Sequence, residues 1–97
     1  MKKCNSLEDV RIEVDEIDEK LVELISKRSH YIRQAASFKE SVEEVKTKDR
    51  IDFILTRVRH KAISFGVSPN MISELFEIMI DEMVETEIAE LKNRNKF

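Results

Sequence analysis

The sequence predicts an all-helical protein, and three observations support this fold class. The 97 residues include one glycine and one proline, whereas sheet proteins need more turn residues than this. Apolar residues recur three and four positions apart over long segments, which is the spacing of a helix face. Residues typical of helix ends divide these segments into three helices. We expect a single domain over residues 1–97 with one modest core.

The first helix is predicted over about residues 7–42. Ser6 suits the N-cap position, and Glu8 and Asp9 place negative charge in the first turn, where the helix dipole favours it. One face of this helix keeps a coiled-coil-like spacing for more than four heptads. This face, called the seam below, comprises Leu7, Val10, Val14, Ile17, Leu21, Leu24, Arg28, Tyr31, Ala35 and Phe38.

The length of this helix predicts a homodimer. A helix over about 7–42 would be ~54 Å long at ~1.5 Å per residue, whereas a compact domain of this size has a radius of gyration of ~12–13 Å. The rest of the chain is too short to cover such a seam along its whole length. A second copy is the simplest cover, so we expect an intertwined homodimer.

Two further helices follow a polar connector at residues 41–49. The second is predicted over about 48–64, and Gly66 after it suits the position that follows a helix end. Pro69 suits the first position of a third helix, predicted over about 69–92. We expect residues 92–97 to fray. The apolar positions of the third helix are Ile72, Leu75, Phe76, Met79, Ile80, Met83, Val84, Ile88 and Leu91.

Composition excludes several classes of partner. The net charge of −3 argues against nucleic acid, which requires a basic surface. No stretch approaches the ~20 apolar residues of a membrane span, and no apolar segment typical of a signal peptide follows the basic start. The lone Cys4 cannot form an internal disulfide, which fits a reducing compartment. We expect a cytoplasmic protein that binds neither nucleic acid nor membrane.

Four charged residues lie where apolar ones would be expected. Arg28 occupies the seam, Lys39 follows eleven residues later on nearly the same face, Arg11 borders the seam, and Glu87 points toward the core side of its helix. A buried charge is costly unless it is compensated. Glu87 could pair with Lys39 or Arg28 as an internal ion pair. Alternatively, the cations could form a pocket for a small dianion, gripped through bidentate hydrogen bonds.

Spacing constrains such a pocket. Arg11 and Arg28 are 17 residues apart, or ~25 Å along one helix, so they cannot hold one small molecule from the same chain. If both serve one site, Arg11 must come from the second subunit of an antiparallel pair, and two equivalent sites result.

The sequence lacks the residue patterns that metal binding and nucleophilic catalysis require. His30 and His60 are not placed with cysteines or carboxylates at metal-ligand spacing. There is no glycine-rich phosphate loop, and no serine or cysteine has a convincing base beside it. We expect no metal and no cofactor, and a reaction accelerated by orienting a substrate and stabilising developing charge.

Several segments resemble a known family, the all-helical chorismate mutases. They are "LEDVRIEVDEIDEKLVELISKR", "AASFK", "DR" and "LFEIMIDEMVETE". The resemblance as a whole covers about residues 4–92. "CNSLEDVR" and "YIRQAASFK" are more similar to the isochorismate-pyruvate lyase branch, which makes salicylate. The most specific feature is the ordered set Arg11, Arg28, Lys39, Arg50 and Glu87.

The resemblance implies an intertwined dimer of three-helix chains with two active sites. The substrate would be a dianionic cyclohexadiene with an enolpyruvyl ether. Arg28 would grip one carboxylate, and Arg11 of the partner subunit would grip the other. Lys39 would donate a hydrogen bond to the ether oxygen as the C–O bond breaks, and Arg50 would help to close the site.

Two positions depart from the dedicated mutases. Ile51 stands where those enzymes have a glutamate that holds the ring hydroxyl, and an apolar residue there resembles the lyase branch. Glu87 stands where the bacterial mutases and the lyase have glutamine, as in some fungal-type mutases. An ionised carboxylate cannot donate to the ether oxygen and would repel the dianion. We therefore predict that Glu87 is protonated in the working complex, since burial disfavours its charged form.

The resemblance, together with Ile51, predicts a cofactor-independent pericyclic enzyme that converts isochorismate to salicylate and pyruvate, with weak chorismate mutase activity. Within the family, the alternatives are a chorismate mutase proper, which forms prephenate, and an aminodeoxychorismate mutase. An alternative of another class is a non-catalytic helical dimer that binds a ligand or another protein.

Overall fold

The structure, a computed structural model, describes residues 1–94, and within them the chain forms helices and no strand. The predicted all-helical fold class is therefore confirmed. No helix in this range is both long and apolar enough to cross a bilayer. The helices are α1 (Leu7–Ala36), α2 (Val42–Val45), α3 (Lys48–Ser64) and α4 (Pro69–Arg94).

The start of α1 is fixed by its own side chains, as predicted. The Ser6 hydroxyl accepts a hydrogen bond from the Asp9 amide at 3.1 Å, which satisfies one of the helix's unpaired amides. The Asp9 carboxylate accepts one from the Asn5 amide at 3.3 Å. Lys2 folds back to Glu13, with 2.9 Å between Nζ and Oε1, and this hydrogen bond raises the pKa of Lys2.

The end of α1 differs from the prediction. The helix ends at Ala36 rather than near residue 42. The amides of Ser37, Phe38 and Lys39 each donate to the carbonyl three residues earlier, at 3.1, 3.0 and 3.2 Å, which tightens the chain into a turn. The Ser37 hydroxyl also donates to the Gln34 carbonyl at 2.7 Å, a bond that competes with the helical pattern. Lys39 therefore lies beyond the helix, and its placement by helical spacing was wrong.

The connector contains the short helix α2. The Ser41 hydroxyl accepts from the Glu44 amide at 3.3 Å, and the Glu44 carboxylate accepts from the Glu40 amide at 2.9 Å. This reciprocal pattern is close to a capping box. The resulting turn buries Val45, which is 6% exposed. A segment that reads as polar therefore contributes one residue to the core.

Helices α3 and α4 form a hairpin whose bounds agree with the predicted 48–64 and closely with 69–92. Gly66 has a φ of 71°, in the left-handed region that glycine adopts without steric cost. The Val67 amide donates to the Ala62 carbonyl at 2.9 Å, and the Gly66 amide to Ile63 at 3.1 Å, which together form a Schellman motif. The Ser68 hydroxyl then caps α4 by accepting from the Met71 amide at 3.2 Å.

Arg59 ties the two arms of this hairpin together. Its Nη1 donates to the Ser73 hydroxyl at 2.8 Å, to Asn70 Oδ1 at 3.0 Å and to the Pro69 carbonyl at 3.3 Å. Ser73 is buried, so this contact satisfies a polar group that burial would otherwise penalise.

The chain divides into two compact units: Met1–Tyr31, and a second that begins at Ile32. Every buried residue within 1–94 belongs to the second unit. The buried residues are Ala36, Val45, Ala62, Ser73, Ile80, Met83, Glu87 and Leu91. In the first unit, the apolar seam residues are 43–70% exposed. The predicted single domain and homodimer stay predictions.

Candidate active site

Lys39 and Glu87 form an ion pair in the second unit. Lys39 Nζ lies 2.7 Å from Glu87 Oε2, and the two side chains are 27% and 5% exposed. Glu87 is the one buried charged residue among those that the structure describes. A buried carboxylate is tolerated when an opposite charge compensates it. Of the two partners that the sequence suggested for Glu87, Lys39 is therefore confirmed.

The two members of the pair reach each other from different local structures. Glu87 is four residues after Met83 and four before Leu91, so all three share one face of α4, and all are buried. Its predicted direction toward the core is confirmed. Lys39 projects instead from the turn after α1. A tight turn, and not a continuous helix, brings its amine to α4.

Arg94 holds the turn that carries Lys39. Its Nη1 donates to the carbonyls of Ala36 at 3.3 Å and Ser37 at 3.1 Å, and its Nη2 donates to the carbonyl of Lys39. The expectation that residues 92–97 fray is wrong for Lys92 to Arg94, which are helical; residues 95–97 lie outside the described residues. Sequence reasoning missed Arg94 because its acceptors are 55 to 58 positions away. A basic residue in a last helical turn was the only signal.

Arg50 and Ile51 lie in the first turn of α3. The Arg50 guanidinium carbon is 5.3 Å from the centroid of the Phe53 ring, a cation–π contact along the same helix. Arg50 is exposed and Ile51 half-buried. The Ile51 amide donates to the Thr47 carbonyl at 3.1 Å. Their part in a common pocket with Lys39 stays a prediction.

Arg11 and Arg28 both lie on α1, in the first unit. Arg11 is exposed and Arg28 is half-buried. Their contribution to a substrate pocket, and the origin of Arg11 in a second subunit, stay predictions. His30 and His60 are exposed, and residues 1–94 contain no group of three or more His, Cys, Asp or Glu side chains that could hold a metal ion.

The pair can stabilise charge that develops on an acceptor. An ammonium has three donors, so Lys39 can keep its contact with Glu87 and donate to a second oxygen. A donor held in a partly buried site stabilises developing negative charge more strongly than the same donor in water. The arrangement suits a reaction in which an oxygen gains negative charge.

Comparison with known proteins places the chain in a family of enzymes. Residues 10–88 match the family "Chorismate mutase type II", a range that includes all six predicted site residues. A chorismate mutase of Methanocaldococcus jannaschii is 27% identical over 94 residues, covering 93% of this chain and 95% of that protein. A bifunctional chorismate mutase/prephenate dehydratase of Buchnera aphidicola subsp. Acyrthosiphon pisum is 29% identical over 97 residues, covering 96% of this chain and 25% of that protein. Because the family match spans most of the chain, this protein belongs to the chorismate mutase type II family.

Proposed function

We propose that this protein is a chorismate mutase that converts chorismate to prephenate without a metal or a cofactor. The observation that supports this most directly is the Lys39–Glu87 pair, with its 2.7 Å contact and its buried carboxyl group. Both residues lie within the range that matches the family. The two relatives, whose names include chorismate mutase, favour this reaction over the lyase reaction that the sequence alone suggested.

The reaction needs donors at one oxygen and no nucleophile. The C–O bond of the enolpyruvyl ether breaks while a C–C bond forms within the same molecule, and the ether oxygen gains negative charge. Lys39 donates a hydrogen bond to that oxygen, an interaction that is stronger in the transition state than in the bound substrate. Glu87 accepts from Lys39 through one oxygen and, when protonated, donates to the ether oxygen through the other.

The two carboxylates of the substrate require cations besides Lys39. In this proposal Arg28 grips one carboxylate and Arg11 of the partner subunit grips the other, while Arg50 helps to close the site. Arginine suits this task because its planar fork binds a carboxylate through two parallel hydrogen bonds. These grips orient the dianion so that its reacting carbons meet.

The cross-subunit site requires a homodimer, which the seam supports. Helix α1 contains 30 residues, ~45 Å at ~1.5 Å per residue. Its apolar seam residues between Leu7 and Tyr31 are 43–70% exposed in the single chain. Monomeric proteins rarely expose a contiguous apolar surface of this extent. A second copy is the occupant that this proposal assigns to the seam.

A second candidate is the lyase reaction of the same family, from isochorismate to salicylate and pyruvate. Ile51 favours it, because an isoleucine offers no acceptor for a ring hydroxyl where the dedicated mutases have a glutamate. The two reactions break the same ether bond and use the same donors, so Lys39 and Glu87 do not distinguish between them.

Product identification separates these candidates. The purified protein is incubated with chorismate and, separately, with isochorismate, and the products are identified by chromatography and mass spectrometry. We expect prephenate from chorismate at the higher kcat/KM. Salicylate and pyruvate as the main products would favour the lyase. Turnover of neither substrate by the purified protein would leave an aminodeoxychorismate mutase and the non-catalytic binding dimer as the remaining candidates.

A further inference from the structure

Helix α4 contacts Lys39 at two points. Glu87 holds the end of the side chain, with 2.7 Å between Oε2 and Nζ, and Arg94 donates to the main-chain carbonyl of the same residue. Glu87 and Arg94 are seven residues apart, about two turns, and therefore share a face of α4. Leu91 lies between them and is 5% exposed. The rigid helix therefore fixes the separation of these two contacts.

Arg94 also donates hydrogen bonds to carbonyl groups at the end of α1. The last carbonyls of a helix lack partners within it and form the negative end of its dipole. Arg94 places a guanidinium there, donating to Ala36 and Ser37 at 3.3 and 3.1 Å. One side chain thus contacts both the helix end and Lys39, whose amine is the donor in the proposed mechanism.

We propose that Arg94 is a positioning residue that sets where the Lys39 amine lies during the reaction. This inference rests on the proposed function. Lys39 lies outside the helix and has a flexible side chain. Its amide donates one hydrogen bond, to the Ala36 carbonyl at 3.2 Å. Arg94 supplies the second main-chain contact. Because a misplacement of ~1 Å can cost ~10²-fold in rate, this contact has a kinetic effect although Arg94 does not touch the substrate.

The first test compares Arg94→Ala with a matched surface variant. Arg33→Ala is the control, since Arg33 lies on α1, is exposed and makes a longer ion pair with α4, at 3.9 Å to Glu90. We expect Arg94→Ala to lower kcat about tenfold and to change KM by less than about twofold, because the substrate carboxylates are gripped elsewhere. Arg94→Lys should recover part of the loss, since one ammonium cannot reproduce the fork. A loss in Arg33→Ala equal to that in Arg94→Ala would contradict the proposal.

A double-mutant cycle separates positioning from a general loss of structure. If Arg94 acts through Lys39, then Arg94→Ala should lower kcat no further in a Lys39→Ala background. An equal loss in both backgrounds would overturn the positioning role and leave the proposed function intact. Unchanged turnover in Lys39→Ala alone would instead overturn the proposed mechanism.

Amide hydrogen exchange tests the same inference without any turnover. In Arg94→Ala the amides of Phe38 and Lys39 should exchange about tenfold faster or more, because the turn opens locally. They should exchange at the native rate in Arg33→Ala. Native rates in Arg94→Ala would overturn the proposal whatever the activity.

Discussion

The two units of this chain bury their apolar residues to very different extents. The first, Met1–Tyr31, leaves its apolar seam residues 43–70% exposed, whereas the second contains all the buried residues described. Hydrophobic free energy comes from removing apolar surface from water. The second unit gains it within one chain, and the first can gain it only by contact with something else. A segment that follows every rule of a stable helix can therefore still depend on another surface.

The largest expected effect comes from placing a charge in the seam. In the proposed dimer, Leu21 of each copy would be buried in the interface. Leu21→Glu should then give monomers and abolish turnover, because each copy loses the burial of a leucine, worth about 1.5–3 kcal/mol, and would have to bury a carboxylate. The dissociation constant, measured by analytical ultracentrifugation, should rise by ~10²-fold or more. Val22→Glu is the control, since Val22 is the next residue, 68% exposed and off the seam. Equal dissociation in both variants would show that the seam is not the interface.

A smaller effect on activity is expected from changing the protonation of Glu87, the buried carboxyl group of the second unit. We predict that Glu87 donates to the substrate only when protonated, because an ionised carboxylate has no proton to donate. Activity should therefore fall as pH rises, toward the ~10²-fold loss typical of one missing donor. Glu87→Gln, measured as kcat against pH, should flatten this fall because an amide donates at every pH.

The control for this profile is Glu85→Gln, since Glu85 is exposed on the same helix. It should keep the native profile. An unchanged profile in Glu87→Gln would contradict the role assigned to Glu87.

The smallest effect concerns the hairpin that presents Glu87. Gly66→Ala should lower the free energy of unfolding by about 1–2 kcal/mol, the cost of holding an L-residue in the left-handed region. Beyond the adjacent residues, a Cβ atom at this position would meet no atom within 4 Å, so the cost is that of the local backbone conformation and not of contact with the rest of the protein. Gly66→Asn should cost less, because asparagine tolerates this conformation. Urea denaturation measures both, and equal stability of Gly66→Ala and the native protein would contradict the assignment.

Local signals in the sequence predicted most of the helices, and long-range contacts explain what they missed. The caps at Ser6 and Gly66 act within a few residues, so their positions could be predicted and are confirmed. The end of α1 could not be predicted, because Phe38 continues the apolar spacing beyond Ala36. The turn there involves Ser37 and also Arg94, whose acceptors lie more than 50 residues earlier in the sequence.

In the candidate site too, features set by nearby residues could be predicted, and features set by long-range contacts could not. The position of Glu87 on its helix predicted that it faces the core. The Glu87–Lys39 ion pair was one of two pairings expected because a buried charge needs an opposite charge beside it. The helical geometry used to place Lys39 was wrong. Arg94 gave no sequence signal beyond its charge. Periodicity reports which way a residue faces on its own element, but not where a turn carries the next residue.

The most direct test of a site shared between two subunits uses mixed dimers. Arg11→Ala and Lys39→Ala chains, each expected to be nearly inactive alone, are coexpressed with different tags and the mixed dimer is purified. If Arg11 comes from the partner subunit, one of the two sites is intact, and about half of the native prephenate-forming activity should return. The control is the Arg28→Ala with Lys39→Ala mixture, which should stay inactive because the proposed site takes both residues from the same chain. Recovery in the control, or none in the first mixture, would contradict the account.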